Sequence, residues 1–129
     1  MDPIFFATPE ELRAWFTEHH GEAAELWVGI HKKGSGLPSV TLAQAQDEAL
    51  CVGWIDSVSK GIDATSYALR FTPRSARSNW SATNIKRVEE LTAQNRMLLA
   101  GLAAFARRKE QQRVTSHGAT IVPANDDGV

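Results

Sequence analysis

The chain lacks the features that mark disulfide-bonded, secreted and membrane-spanning proteins. Its 129 residues include one cysteine, Cys51, so no internal disulfide can form, and a reducing compartment fits best. No apolar run approaches the roughly 20 residues that a spanning helix needs, and the N-terminus shows no charged-then-apolar signal region. We therefore expect a cytoplasmic protein that does not insert into a membrane.

Motifs for metals, nucleotides and nucleophilic catalysis are also missing. The sequence has no HExxH motif and no Cys/His cluster, and the adjacent His19 and His20 project about 100° apart on a helix, so they cannot easily share a metal. "KKGSG" lacks the GK[ST] ending of a phosphate-binding loop. Cys51 falls in the last turn of a predicted helix with no histidine nearby in sequence, which favours a buried structural thiol. We predict no metal, no cofactor and no catalytic residue.

Acidic residues are absent from one long segment. Residues 64–88 contain five basic residues and no Asp or Glu, so the rest of the chain must carry a net charge of −6 to give the total of −1. The five are Arg70, Arg74, Arg77, Lys86 and Arg87. This polarity favours a local anion site over the broad basic face of a dedicated nucleic-acid binder.

Helix and strand patterns begin near the N-terminus. "TPEELRAWFTEHHG" predicts a helix with Thr8 as N-cap, a capping box closed by Glu11, and Gly21 at its end. "ELWVGIHK" alternates apolar and other residues as a half-buried strand does. Because a tryptophan buries a large apolar area, Trp27 of this strand is expected in the core.

Three more helices are predicted further along the chain. "TLAQAQDEALCVG" begins with a capping box of Thr41 and Gln44 and ends at Gly53. Another helix begins at Ser81, and Asn95 is a plausible stop before the last one because asparagine tolerates the left-handed cap conformation.

Two strands, "WIDSVSKGID" and "SYALRFT", predict a hairpin joined near residues 63–65. Side chains alternate along a strand, so Tyr67, Leu69 and Phe71 should face the core while Arg70 points to the opposite side. Pro73 should close the second strand because proline cannot donate to the ladder.

These elements predict a single α+β domain over residues 1–113, with a small, mainly antiparallel sheet of about three strands packed with four helices. Residues 114–129 are polar and contain Gly118, Pro123 and Gly128. We predict an irregular C-terminal tail there.

Four stretches of the sequence carry a family resemblance: "KKGSGLPSV", "DEALCVGWID", "YALRFTPRSARSNWSATNIKRVEEL" and "NRMLLAGLAAF". In this order and at these separations they resemble the YdeI/OmpD-associated (bacteriocin-protection) family of small bacterial proteins. The resemblance covers roughly Leu26 to Phe105 and departs from the usual pattern at Asn95, where glycine is more usual, and at Leu98-Leu99, where Thr-Pro is more typical. It implies a link to envelope stress or antimicrobial-peptide tolerance, and no general reaction.

The arginine segment supplies the candidate site. Arginine forks hold phosphates or carboxylates, and a strand end followed by a helix start can set several of them around one anion. The candidate anion-binding residues are Arg70, Arg74, Arg77, Trp80, Asn84, Trp54, Asp56 and Lys33. The alternatives are that the arginines are solvated or pair with Asp56 and the acids of the first helix, and that Trp54 and Trp80 are core residues.

The leading functional hypothesis is a non-enzymatic, cytoplasmic binding protein that takes a small anion or an acidic protein segment. One alternative is a nucleic-acid-binding module that uses the basic residues of 64–88 on phosphates, with Trp80 stacking on a base. Another is a small enzyme acting on a phosphorylated or acidic metabolite, with Asp56 as its acid/base group. The sequence makes no prediction of the oligomeric state.

Overall fold

A computed structural model describes residues 1–75 and 78–116 of the chain. The prediction of an α+β fold with four helices is confirmed, but the sheet has four strands rather than three. In chain order the elements are β1 (Ile4–Phe5), α1 (Pro9–His19), β2 (Leu26–His31), a 3-10 turn (Lys33–Ser35), α2 (Leu42–Cys51), β3 (Trp54–Asp63), β4 (Ser66–Pro73), α3 (Ala82–Ala93) and α4 (Leu99–Ser116). No helix of the described residues is long and apolar enough to cross a membrane.

The helix α4 continues to Ser116, so it includes the first three residues of the predicted tail. The remainder of that tail, 117–129, lies outside the described residues.

The sheet has the strand order β1-β2-β4-β3, with β1 parallel to β2 and the other pairs antiparallel. The strand missed in the sequence is β1, whose two residues are too few to show an alternating pattern. Leu26 pairs with Phe71 at one end of β2 and β4, and His31 pairs with Ser66 at the other. The two ends of β4 therefore lie beside opposite ends of β2.

The helix starts follow from their capping residues. Thr41 with Gln44, and Ser81 with Asn84, each form a reciprocal capping box at the start of α2 and α3. Two backbone donors at each start are thereby satisfied. At α1 the Thr8 hydroxyl accepts from the Glu11 N–H at 3.2 Å, but the Glu11 carboxylate accepts from the Ala7 N–H rather than from Thr8. At α1 the second hydrogen bond of the predicted capping box therefore comes from Ala7, the residue before the N-cap.

The hairpin prediction is confirmed, including the assignment of its faces. Leu69 and Phe71 are buried and Tyr67 packs against the same cluster, while Arg70 lies on the opposite face with its Nε 2.7 Å from Glu25. The prediction that Trp27 lies in the core is wrong. Strand alternation places the Trp27 side chain on the other face of the sheet from the buried Leu26 and Val28. There it is half-buried, and the Lys60 ammonium lies 5.8 Å from its ring centroid.

The end of α2 is the point on which the later helices pack. Gly53 adopts a φ of +79°, and a Cβ there would lie 2.8 Å from the Ala104 Cβ of α4. The Leu98 N–H donates to the Cys51 carbonyl at 2.9 Å, and Gly101 lies directly against that carbonyl. These contacts are made at the C-terminal end of α2. Other residues of α2 border two clefts. Asn95 turns the chain between α3 and α4 with a φ of 59°, as predicted.

Candidate functional site

One of two clefts beside α2 is lined by four of the eight predicted anion-binding residues: Trp54, Asp56, Arg74 and Asn84. It has a volume of about 490 Å³ and lies among α2, the start of β3, the end of β4 and the N-terminus of α3. Its charged and polar lining residues are Gln46, Asp47, Asp56, Arg74, Ser81, Thr83, Asn84 and Arg87. We call this the Arg74 cleft.

Arg74 reaches the cleft because Pro73 ends β4 and the next residue turns toward α2. The Arg74 N–H donates to the Gly53 carbonyl at 2.9 Å, which anchors its backbone to the end of α2. Its guanidinium donates to the Asn79 carbonyl at 2.9 Å and more weakly to the Asn84 side-chain oxygen at 3.4 Å. The same group lies 4.0 Å from the ring centroid of Trp80. Arg74, Trp80 and Asn84 are therefore brought together, as the sequence predicts.

The Arg74 guanidinium is buried without an acidic partner. The residue is 6% exposed, its Nε has no hydrogen-bond partner, and no carboxylate of the described residues lies within ion-pair distance. Burial lowers the pKa of Arg74 to about 10, and the negative charge of Asp56 opposes that shift. The group is therefore still charged at neutral pH.

Asp56 lines the same cleft from the sheet. It pairs with Phe71, so it lies on the helix-covered side of β3, and the register of the hairpin shifts between Asp56 and Ser59. Such bulges reorient side chains beside functional sites. Within residues 1–75 and 78–116 the Asp56 carboxylate has no hydrogen-bond or ion-pair partner, although its charge acts on Arg74. The cleft thus holds one cation and one anion that do not pair with each other.

Arg87 and Asp47 form the rim of the cleft, and the sequence does not predict this pair. Arg87 donates through Nε and Nη2 to the two Asp47 oxygens at 2.9 and 2.8 Å, and through Nη1 to Glu90 at 2.9 Å. These bonds raise the pKa of Arg87 above its ordinary value. Only the i,i+3 spacing of Arg87 and Glu90 is visible in the sequence.

Other predicted residues lie elsewhere. Arg70 points to the open face of the sheet, where it pairs with Glu25. Lys33 belongs to the 3-10 turn beyond β2, near the end of β4 opposite Arg74. Arg77 lies outside the described residues. The structure therefore brings neither Arg70 nor Lys33 to this cleft, because strand alternation and sheet register separate them from Arg74.

The two tryptophans of the site are packed into the interior. Trp54 is 2% exposed and packs edge-on against Phe16 at a centroid distance of 5.3 Å. Trp80 is 8% exposed, with Arg74 over its ring and Phe105 edge-on at 5.5 Å. Trp54 contributes to the wall of the cleft, and neither indole presents an open face to a ligand.

The second cleft, which the sequence does not predict, lies between α1 and α2 and has a volume of about 480 Å³. At its centre the Glu48 side chain is 5% exposed and accepts from Arg13 at 2.9 Å and from Arg96 at 3.0 Å. Arg13 also donates to the Arg96 carbonyl. We call this the Glu48 cleft; its buried charge is paired on both sides.

Cys51 and the histidines have no assigned part in either cleft. Cys51 is buried, as predicted, and burial raises the pKa of its thiol although Arg13 opposes the shift. His19 lies 3.2 Å from the Glu22 carboxylate, and His20 is hydrogen-bonded to the Phe16 carbonyl. In the described part of the chain, no group of three or more His, Cys, Asp or Glu side chains could hold a metal ion.

Comparison with models of known protein families gives a match over most of the chain. Residues 4–104 match the family model described as Domain of unknown function (DUF8412). The chain belongs to that family. No curated protein and no solved structure matches. The family covers the sheet, α1 to α3, the start of α4 and both clefts, and its description assigns no activity. The resemblance to the YdeI/OmpD-associated family stays a prediction.

Proposed function

We propose that this chain is a non-enzymatic binding protein whose Arg74 cleft takes a small anion. One observation carries the proposal: Arg74, a residue that is only 6% exposed, lines a cleft without a carboxylate partner for its guanidinium among the described residues. A buried charge is costly unless it is paired and hydrogen-bonded. An anion in the cleft supplies the missing partner.

The N-terminus of α3 adds to the attraction. Thr83 lines the cleft in the first turn of this helix, and no described residue accepts from its backbone N–H. The partial positive charge at a helix N-terminus favours an anion there. Ser81 and Asn84 hold the adjacent cap in place, so the donors are fixed before a ligand arrives.

The contacts of the other basic residues favour this local site over a nucleic-acid surface. Arg70 pairs with Glu25 on the open face, and Arg87 is held by Asp47. Trp80 is buried beneath Arg74 and is not available to stack on a base. A phosphate-tracking groove would need these side chains together and accessible.

The wider role is part of the proposal and rests on the resemblance alone. That role is a cytoplasmic anion-binding protein linked to envelope stress or antimicrobial-peptide tolerance. The volume of the cleft fits a small-molecule ligand, since small-molecule sites usually have volumes of about 300–1,000 Å³. The open carboxylate of Asp56 is the observation that keeps a small enzyme as the second candidate.

The test is the melting temperature in sulfate compared with chloride at matched ionic strength. A ligand that binds only the folded state stabilises it by RT ln(1 + [L]/Kd), so near-saturating sulfate should raise the melting temperature of the wild type by on the order of 4 °C beyond chloride. Arg74→Met should lose this increment. Arg70→Gln, which removes an arginine charge on the opposite face, should keep it. The proposal would be contradicted if Arg70→Gln lost the sulfate-specific increment in melting temperature and Arg74→Met retained it.

A further inference from the structure

We infer that the preferred ligand of the Arg74 cleft is a small zwitterion of the amino-acid type, with its carboxylate at Arg74 and its ammonium group at Asp56. The inference rests on the proposed function and adds the ligand class. Its basis is that one cleft contains two opposite charges, neither of which has an ion-pair partner among the described residues.

The first step concerns the separation of these two groups. Asp56 and Arg74 line the same cleft, and the Asp56 charge acts on Arg74 through space. Their oxygen and nitrogen atoms nevertheless stay beyond ion-pair distance. A molecule that carries both charges fits between them and satisfies both at once, whereas a simple anion satisfies only Arg74.

The second step concerns the total charge of the lining. Among residues 1–75 and 78–116, the ionisable lining residues are two acids and two arginines: Asp47, Asp56, Arg74 and Arg87. Asp47 and Arg87 neutralise each other in a bidentate ion pair. The described lining therefore has no net charge, and a ligand without net charge matches it better than a dianion such as phosphate, which would place a second negative charge against Asp56.

The third step concerns the positions of the two ligand-binding groups. Arg74 is fixed by Asn79, Asn84 and the Trp80 ring. Asp56 lies on β3, just before the bulge of the hairpin. Side-chain and ring contacts hold Arg74 and strand pairing holds Asp56, so the spacing between them selects the distance between the two charges of the ligand.

The experiment measures binding of matched pairs of small molecules by isothermal titration calorimetry on the full chain. The pairs are glycine with acetate, β-alanine with propionate, γ-aminobutyrate with butyrate, and 5-aminovalerate with valerate. Within each pair only the ammonium group differs. Charge-assisted hydrogen bonds justify an advantage of about tenfold in Kd for the amino acid of the correct length over its matched carboxylate.

Asp56→Asn should abolish this advantage, and the affinity for the plain carboxylate should not fall, because the variant removes a negative charge that faces the carboxylate site. Glu25→Gln is the matched control, since it removes a carboxylate on the open face beside Arg70, and it should keep the advantage. The comparison within each pair in the wild type needs no variant, so a failure of Asp56→Asn to fold would leave the test intact.

Three results would overturn the inference. Equal affinity for the members of every pair, or tighter binding of inorganic phosphate than of every amino acid, removes the zwitterion but leaves an anion site at Arg74. Absence of binding by all amino acids, carboxylates, sulfate and phosphate removes the proposed function as well. The two failures are therefore distinguishable in one set of titrations.

Discussion

The Glu48 cleft and the Arg74 cleft have almost equal volumes, border the same helix α2 and each contain a buried charge. In the first, the carboxylate of Glu48 is bonded by Arg13 and Arg96. In the second, the guanidinium of Arg74 has only neutral oxygens as hydrogen-bond acceptors. The Glu48 charge is paired within the fold, whereas the Arg74 charge has no acidic partner among the described residues, and the proposed function assigns that place to a ligand.

The Glu48 cluster connects parts of the chain that are distant in sequence. Arg13 comes from α1, Glu48 from α2 and Arg96 from the turn between α3 and α4. The Arg74 contacts are local by comparison, since Asn79 and Asn84 lie five and ten residues away. Loss of the first cluster should therefore affect global stability, and loss of the second should affect binding.

The largest expected effect is on the free energy of unfolding of Glu48→Gln. Removing one partner of a buried ion pair typically costs about 3–5 kcal/mol because the remaining charge is left uncompensated. Here two arginines lose their common partner, but their side chains are 29% and 35% exposed, so water screens part of the remaining charge and the loss should lie near the lower end of this range. Denaturant titration measures the loss. Glu90→Gln, which removes a half-exposed partner of Arg87, is the control and should cost less than about 1 kcal/mol. A loss that small for Glu48→Gln would show that the two clefts do not differ in this respect.

A smaller effect is expected on the stability of Arg74→Met. Methionine retains an apolar stem against Trp80 and removes a buried charge that has no acidic partner. Replacing a buried charge by an apolar group is often neutral or stabilising, so the free energy of unfolding should change by no more than about 1 kcal/mol. The same denaturant titration measures it. A loss above about 3 kcal/mol would give Arg74 the structural role assigned to Glu48.

The smallest effect concerns the pH dependence of the sulfate-specific increment in melting temperature. The pKa of folded Arg74 is about 10, below its ordinary value, so the folded state loses this proton before the unfolded state does. At neutral pH, well below both pKa values, the guanidinium is charged in both states, and the increment is fully present. As the pH rises through 10 the folded guanidinium becomes neutral and the increment should shrink. An increment in the wild type that is unchanged at about pH 11 would show that another group binds the anion.

The sequence predicts the local features of the fold, because these depend on neighbouring residues. The capping box of Thr41, the helix start at Ser81, the stop at Asn95 and the faces of the hairpin all follow from short patterns. The same alternation places Trp27 on the face of the sheet away from the core. The expectation that Trp27 is a core residue rested on its large apolar area alone and is wrong. Local rules are reliable here when they concern backbone geometry.

The pairing of charges is not readable in the sequence, because it depends on topology. Arg13 and Glu48 are 35 residues apart, Arg87 and Asp47 are 40 apart, and Arg70 and Glu25 are 45 apart. Each of these pairs forms only once the sheet and helices are assembled. The basic segment is visible in the sequence, but which arginine remains without an acid is decided by the fold.

The most direct test follows the arginine side-chain Nε–H signals by nuclear magnetic resonance during titration with sulfate. Single substitutions assign the signals of Arg74, Arg13, Arg96 and Arg70. If the unpaired guanidinium is the binding group, the Arg74 signal moves most and saturates, while Arg13 and Arg96 of the Glu48 cleft stay in place. Movement of Arg13 or Arg96 with a stationary Arg74 signal would contradict the account.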